Sequence, residues 1–273
     1  MKVFVIGVGL GNPDTLTVAA QRAIEGSEAL LGAPRLLDAF ADMPCEKHAL
    51  TRADDIVEVL SHMQHAQVSV LFSGDVGFYS GAALLYEKLG VKGAGDAGAL
   101  PASGADVVVE SIPGVSSLAY FCAKLRTPWQ DVRLVSAHGR EHDAAGAIQS
   151  NARTFCLTGG AAKVEDICAE LVARGLGDVR VAAGERLSYA DERIVEGTAA
   201  ELAGMQFADL AVLLAENPRP VQRAYAAPSL EDEAFERGAV PMTKLLAQAS
   251  EAQRAELARL YRNRVFEGCG KSL

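Results

Sequence analysis

The sequence predicts an α/β fold of two α/β domains, and three observations predict it. Apolar runs of strand length alternate with stretches of helical period from Met1 to about Asn217. Several of these runs end in glycine-containing loops that lead into the next helical stretch, as strands of an open sheet do. Pro113-Gly114 interrupts the alternation near the middle of the chain. We therefore predict domains at 1–112 and 113–227, followed by a charged helical tail at 228–273.

The first half alternates regularly between the two kinds of stretch. Asp14 or Thr15 is the predicted N-cap of the first helix. Residues 90–105 are rich in glycine and alanine with few large apolar side chains, so we expect a surface loop there. We predict strands at 2–8, 28–32, 45–50, 67–72 and 106–111, and helices at 15–25, 34–41, 53–65 and 81–89.

The second half opens with a helix and then continues the alternation. Its tail differs in composition, because charged residues dominate after Pro228 and 242–262 is its one long helical stretch. We predict helices at 116–125, 161–174 and 198–204, and strands at 132–136, 154–157, 179–184, 193–196 and 210–214.

Composition and charge argue against several classes of protein. A formal net charge of −9 disfavours bulk nucleic-acid binding, although local arginines can still hold an anionic small molecule. The five cysteines are scattered without a CxxC spacing, which predicts buried thiols rather than a disulfide framework or a zinc site. We find neither an apolar run of about eighteen residues nor a signal peptide, so we expect a cytoplasmic protein without a membrane segment.

Four loops at the ends of predicted strands have residues suited to contact a ligand. Three of them also have a purely structural explanation: a tight turn for the first, and helix capping by Asp75 or Ser116 in the next two. The first loop fails the dinucleotide fingerprint because Asn12 stands where glycine is required. Two such loops in each half nevertheless indicate a ligand site at the strand ends. The loops are 7–14, 73–81, 112–117 and 157–160.

Taken together, these segments resemble the tetrapyrrole (corrin/porphyrin) methylase family over about Met1 to Asn217. The most specific likeness is to the precorrin-6Y methyltransferases that act on carbon 5. Gly74-Asp75-Val76 departs from the usual Gly-Asp-Pro, and we expect a loosened loop rather than a lost site. The matching motifs are Gly7-Val8-Gly9 with Asp14 and Thr17, Leu31-Gly32-Ala33-Pro34-Arg35, Ser73-Gly74-Asp75 with Gly77-Phe78-Tyr79, Pro113-Gly114-Val115-Ser116-Ser117, Ser136-Ala137-His138-Gly139-Arg140, and Gly184-Glu185-Arg186-Leu187-Ser188-Tyr189 with Glu192-Arg193-Ile194.

The resemblance implies a fold and a set of roles. It implies two α/β domains with S-adenosyl-L-methionine (SAM) in the cleft between them as methyl donor, a precorrin or cobalt-precorrin as acceptor, and a homodimer. His138 and Arg140 are the catalytic candidates, with His138 as a proton acceptor near the ring. The carboxylates of the acceptor favour arginine, which makes Arg35, Arg126 and Arg140 its candidate ligands. The expected SAM-binding residues are Gly9, Leu10, Asp75, Phe78, Ser116, Ser117, Thr158 and Leu187.

The tail resembles the junction at which fused homologues continue into a second methyltransferase domain, which methylates carbon 15 and removes a carboxylate. Phe235-Glu236-Arg237 and Pro241-Met242-Thr243-Lys244 carry this likeness. Because the sequence ends at Leu273, the resemblance implies carbon 5 methylation alone and a separate carbon 15 methyltransferase as a possible partner.

Other functions have weaker support in the sequence. His138 and His142 offer only two ligands, and no metal site is predicted. The segment 268–272 resembles a P-loop, but Val265 replaces its first glycine. Two alternatives stay open: a methylase of the same fold with another substrate, and a non-catalytic subunit that binds SAM or a tetrapyrrole as a scaffold for the carbon 15 enzyme.

Replacing Arg140 with alanine is the direct test of its predicted role. We expect Arg140→Ala to weaken binding of the acceptor, because a guanidinium facing a carboxylate contributes a charge-assisted hydrogen bond. The measurement is the dissociation constant of the acceptor, and an unchanged value removes Arg140 from the site.

Overall fold

Residues 1–93, 96–100, 104–137, 143–160 and 162–221 are described by the computed structural model, all within one compact unit, Met1–Gln222. Arg223–Leu273, which contain the predicted tail, lie outside the described residues. The α/β fold class is confirmed. The boundaries of the two predicted domains stay predictions.

The first half of the chain forms a six-stranded sheet. Strand β1 lies centrally, with β4 and β6 parallel to it on either side, so the carboxyl ends of these three strands are adjacent. Only the β5–β6 pair is antiparallel. The strands are β1 (Lys2–Gly7), β2 (Ala29–Gly32), β3 (Glu46–Ala49), β4 (Gln67–Phe72), β5 (Ala97–Ala99) and β6 (Asp106–Ile112), in the order β3-β2-β4-β1-β6-β5.

Helices cover both faces of this sheet, as the unbroken apolar sequence of β1 requires. Val3 and Val5 face one core with α3 and α4, whereas Phe4 and Ile6 face another with α1 and α2. The helices are α1 (Val18–Glu25), α2 (Pro34–Leu37), α3 (Ala53–His62) and α4 (Ala82–Lys88).

The second half forms a five-stranded mixed sheet. One face packs against three helices, and the other packs against a single helix that carries Leu118 and Phe121. Its strands are β7 (Arg133–Ser136), β8 (Arg153–Leu157), β9 (Arg180–Glu185), β10 (Arg193–Thr198) and β11 (Ala211–Glu216), in the order β10-β9-β11-β8-β7 with only β7–β8 parallel. The helices are α5 (Ser117–Lys124), α6 (Ala144–Ser150), α7 (Val164–Ala173) and α8 (Ala199–Leu202).

Four details correct the expectations from sequence. Strand β5 lies within the expected 90–105 loop, and α6 was not predicted. The N-cap of α1 is Thr17, whose Oγ1 accepts from Ala20 N at 3.1 Å, because Pro13–Thr15 first makes a 3₁₀ turn. The predicted 34–41 helix is a short α2 followed by a 3₁₀ turn at Asp38–Phe40. None of the helices in the described ranges is long and apolar enough to cross a bilayer.

Direct backbone contact joins the loops that leave β1, β4 and β6. Gly9 N donates to Gly74 O at 3.2 Å, and Gly74 N donates to Gly9 O at 2.6 Å. Both residues have positive φ, +68° and +70°. A Cβ at Gly114 would collide with the carbonyl oxygens of Gly7 and Gly74, and one at Gly7 would lie 2.6 Å from Gly74 O. We call this arrangement of Gly7, Gly74 and Gly114 the glycine contact: no side chain fits at Gly7 or Gly114, and Gly74 has a positive φ that favours glycine.

His65 joins the amino ends of three strands of the first sheet, β2, β3 and β4. His65 Nδ1 lies 3.4 Å from Glu28 Oε2, and its Nε2 lies 3.2 Å from Glu46 Oε2. Glu28 Oε1 also accepts from Ala66 N at 2.8 Å. The hydrogen bond with Glu46 is the main cause that raises the pKa of His65, while hydrogen bonds from Ala66 and from His65 lower the pKa of Glu28 and Glu46, respectively.

The shifted pKa values predict a pH-dependent contribution to stability. The raised pKa of His65 stabilises the fold fully below its unfolded pKa of about 6.5, and this contribution disappears as pH rises through the folded value. The lowered pKa values of Glu28 and Glu46 mean that both carboxylates stabilise the fold above their ordinary pKa of 4.5. This contribution is lost as pH falls through the folded pKa values. We therefore expect His65→Gln to lower Tm most near pH 5–6, by about 1–2 °C, and least above pH 8.

Thermal unfolding from pH 5 to 9 measures this effect, with His62→Gln as control because His62 is exposed on α3. A Tm difference that is independent of pH would contradict the assignment.

The glycine contact predicts a large effect of a single methyl group. We expect Gly114→Ala to lower the free energy of unfolding by about 3 kcal/mol or more, because the added Cβ overlaps the backbone carbonyl groups of Gly7 and Gly74. Gly204→Ala is the matched control, since the nearest atom to its added Cβ is 3.9 Å away. Urea unfolding of both variants checks the prediction, and equal stabilities would contradict it.

Candidate active site

Asp75 fastens two of the strand-end loops to each other. Its Oδ1 accepts from Gly77 N at 2.8 Å, which closes the turn, and its Oδ2 accepts from Gly114 N at 3.0 Å. Val76 is half-buried against the core that the first sheet forms with α3 and α4, and Phe78 N donates to Asp75 O at 3.2 Å. These contacts give no support to the expectation that valine loosens this loop. Asp75 thus positions the backbone around the site.

A cavity of about 530 Å³ opens beside these loops. This volume lies within the usual range for small-molecule sites. Its wall combines apolar side chains with six hydroxyl residues, five of them serine or threonine and the sixth Tyr79. Arg35 supplies the one formal charge among the described lining residues. The lining comprises Leu10, Arg35, Ser73, Gly74, Phe78, Tyr79, Ser80, Gly81, Ser117, Ser136, Leu157, Thr158, Gly184, Leu187, Leu210, Ala211 and Val212.

Both halves of the chain contribute to this wall. Leu10 comes from the loop after β1 but packs in the core of the second sheet, together with Leu187 and Phe121. The Phe78 ring, from the loop after β4, lies 6.2 Å from the ring of Phe155 on β8. The cavity therefore lies where the carboxyl ends of β1 and β4 meet the second sheet.

The sequence-predicted donor-site residues fall into two groups. Gly9, Asp75 and Ser116 adjoin the cavity along the chain without lining it, and Ser116 Oγ accepts from Ala119 N at 3.2 Å as the N-cap of α5. The five that line the cavity are Leu10, Phe78, Ser117, Thr158 and Leu187.

Of the two predicted acceptor ligands that the structure describes, one lines the cavity and the other does not. Arg35, at the start of α2, lines the cavity, whereas Arg126 is exposed and does not. His138 and Arg140 lie outside the described residues, in the segment that follows Ser136 and Ala137. Ser136 itself lines the cavity.

Several lining residues were missed from sequence. Thr158 Oγ1 donates to Ala211 O at 2.8 Å, so the start of β11 forms part of the same wall as the end of β8. Six of the residues not named individually nevertheless lie within the predicted ligand loops 73–81 and 157–160, and the other five lie at or near the ends of strands in the second half. The full set is Ser73, Gly74, Tyr79, Ser80, Gly81, Ser136, Leu157, Gly184, Leu210, Ala211 and Val212.

The buried thiols are poorly suited to nucleophilic chemistry. Burial raises the pKa of Cys156 and of Cys168 to about 12, so both stay protonated at neutral pH. Cys122 is buried as well, and burial also raises its pKa. Within the described ranges, no cluster of His, Cys, Asp and Glu side chains has the arrangement of a metal site.

Comparison with known proteins agrees with this architecture. A solved uroporphyrin-III C-methyltransferase from Thermus thermophilus, in complex with S-adenosyl homocysteine (SAH), superposes with a TM-score of 0.61 at 22% identity. The match covers 80% of this chain and 98% of that one. At this identity the likeness establishes the fold.

Three curated relatives are similar in sequence. A cobalt-precorrin-7 C(5)-methyltransferase of Salmonella typhimurium is 30% identical over 193 residues, covering 70% of this chain and 87% of the relative. A probable enzyme of the same name from Methanocaldococcus jannaschii is 23% identical over 227 residues, covering 80% and 100%. A decarboxylating precorrin-6Y C(5,15)-methyltransferase of Sinorhizobium sp. is 29% identical over 202 residues, covering 72% and 45%.

The family model for tetrapyrrole (corrin/porphyrin) methylases matches residues 2–203, about three quarters of the chain. The chain therefore belongs to the tetrapyrrole (corrin/porphyrin) methylase family.

Proposed function

We propose that this protein transfers a methyl group from SAM to carbon 5 of a precorrin or cobalt-precorrin in cobalamin biosynthesis. Within the structure, the observation that carries the proposal is the cavity walled by strand-end loops from both halves of the chain. The choice of carbon 5 rests on the names of the relatives from Salmonella typhimurium and Methanocaldococcus jannaschii. Tetrapyrrole methylases use SAM as methyl donor.

The cavity fits the methyl donor in size and in chemistry. A volume of about 530 Å³ accommodates one nucleoside-sized ligand, and a tetrapyrrole with its side chains is larger, so the acceptor lies at the mouth. Apolar residues such as Leu10 and Leu187 suit the flat faces of adenine, while the hydroxyls of Ser117 and Ser136 suit its polar groups. We assign the methyl donor to this wall. Gly9, Asp75 and Ser116 shape the wall by fixing the backbone of its loops.

The main catalytic task of the chain is alignment. SAM supplies a methyl group already activated on a sulfonium, so the reaction needs no protein nucleophile. Holding donor and acceptor carbon in line accounts for up to about 7–11 kcal/mol of the barrier in favourable cases. A wall built from closely packed loops of both halves is suited to this task. His138 remains the candidate proton acceptor.

Arg35 is placed to bind a carboxylate of the acceptor. It lies on the cavity wall and its side chain has no ion-pair partner among the described residues. A guanidinium binds a carboxylate through two parallel hydrogen bonds. We assign Arg35 to an acetate or propionate side chain of the corrin, with Arg126 and Arg140 as further candidates.

Further properties belong to the same proposal. The relative from Sinorhizobium sp. is named for methylation at both carbon 5 and carbon 15. Because that relative combines the two activities, we propose a carbon 15 methyltransferase as a functional partner. A homodimer and a cytoplasmic location complete the proposal. The alternatives are another methylase of this fold and a scaffold without activity.

A methyl-transfer assay with ¹³C-labelled SAM tests the proposal. Metal-free and cobalt-containing precorrin-6-type acceptors are offered separately, and NMR locates the new methyl group. A label at carbon 5 supports the proposal, and the preferred acceptor identifies the state of the ring. A label at another carbon supports a sister methylase, whereas donor binding without transfer supports the scaffold.

The assignment of Arg35 predicts that Arg35→Ala selectively weakens binding of the acceptor. We expect KM for the acceptor to rise about tenfold, the effect of losing one charge-assisted pair, while the Kd of SAH stays within about twofold. Arg22→Ala on the exposed surface of α1 is the matched control. A rise in the Kd of SAH with an unchanged KM for the acceptor would instead assign Arg35 to the carboxylate of the donor.

A further inference from the structure

The turn at residues 186–189 has an unfavourable backbone beside the cavity. Arg186 and Ser188 have φ values of +50° and +70°, a region that L-residues other than glycine rarely adopt. Ser188 Oγ is buried without a hydrogen-bond partner. Leu187, between them, is buried in the cavity wall. Such strain persists only where surrounding contacts enforce it, and it is concentrated at functional sites.

Glu192 provides the contacts that enforce this turn. Its Oε2 accepts from Ser188 N at 2.7 Å and from Tyr120 Oη at 2.7 Å, and its Oε1 lies 2.8 Å from Lys124 Nζ. Its side chain is only 17% exposed. Burial raises its pKa, but hydrogen bonds from Lys124, Ser188 and Tyr120 more than offset this and lower the pKa below its ordinary value. The carboxylate is therefore ionised at neutral pH.

The same turn is also joined to the first half of the chain. Asn12 Nδ2 donates to Ser188 O at 3.0 Å. Gly11 packs so closely against the Tyr189 hydroxyl that a Cβ would collide with it. Glu192 thus fastens α5 to a turn that also contacts the loop after β1. These contacts join the turn that carries Leu187 to the loop that carries Leu10.

We propose that Glu192 is a positioning residue for the methyl donor, because it holds the 186–189 turn so that Leu187 completes the cavity wall. This inference rests on the proposed function, since it assigns the donor to that wall. Tyr120 and Lys124 are its partners on α5. Glu192 itself does not line the cavity, so it acts on the ligand through the turn.

Three variants and one control test the proposal. Glu192→Ala removes all three contacts, and we expect the Kd of SAH and the KM for SAM to rise about tenfold. Glu192→Gln keeps an oxygen that accepts from Ser188 N, and it should recover most of the loss. Tyr120→Phe removes one contact and should give an intermediate Kd. Glu201→Ala, which removes a carboxylate that caps α8 through Thr198 N, should leave the Kd of SAH unchanged.

Calorimetric titration with SAH, at a temperature well below the Tm of every variant, measures these constants. An unchanged Kd in Glu192→Ala would overturn the inference. So would equal rises in Glu192→Ala and Glu201→Ala, since these would reflect general destabilisation. Failure of the wild-type protein to bind SAH would instead contradict the proposed function, and the two failures are thus distinguishable.

Discussion

The close backbone contact of Gly7, Gly74 and Gly114 is the constraint on which the rest of the site depends. Three adjacent parallel strands end together, and their loops touch through carbonyl and amide groups with no space for a Cβ. Asp75 fixes the same loops by accepting from Gly77 N and Gly114 N. Leu10 and Phe78, on the loops after β1 and β4, pack against the second sheet. A cavity can then form between elements that are far apart in the chain.

The two halves share one wall rather than meeting across an open surface. Leu10 packs with Leu187 in the core of the second half, and Phe78 lies beside Phe155. In the proposed reaction the donor is already activated, so catalysis would depend mainly on geometry and small displacements of this wall would lower the rate. The strained 186–189 turn and its contacts to Glu192 fit this requirement, because strain stored at a site restricts its alternatives.

The sequence predicted the elements well where side-chain pattern determines them. Strand β4 has a continuous apolar run and was predicted with the bounds observed, Gln67–Phe72. Strand β5 was missed because three small residues provide no apolar pattern, and α6 because alanines dominate it. Ala211 was missed as part of the wall because periodicity does not say which strands are neighbours. The contact between Tyr120 and Glu192 spans 72 residues, a separation that no local pattern reveals.

A crystal structure with SAH tests the central claim most directly. We predict that SAH occupies the cavity of about 530 Å³ and contacts Leu10 from the first half and Leu187 from the second within one binding site. The glycine contact should remain unchanged, since it shapes the cavity before the ligand arrives. SAH bound elsewhere, or bound only to residues of one half, would contradict the claim that the shared wall is the methyl-donor site.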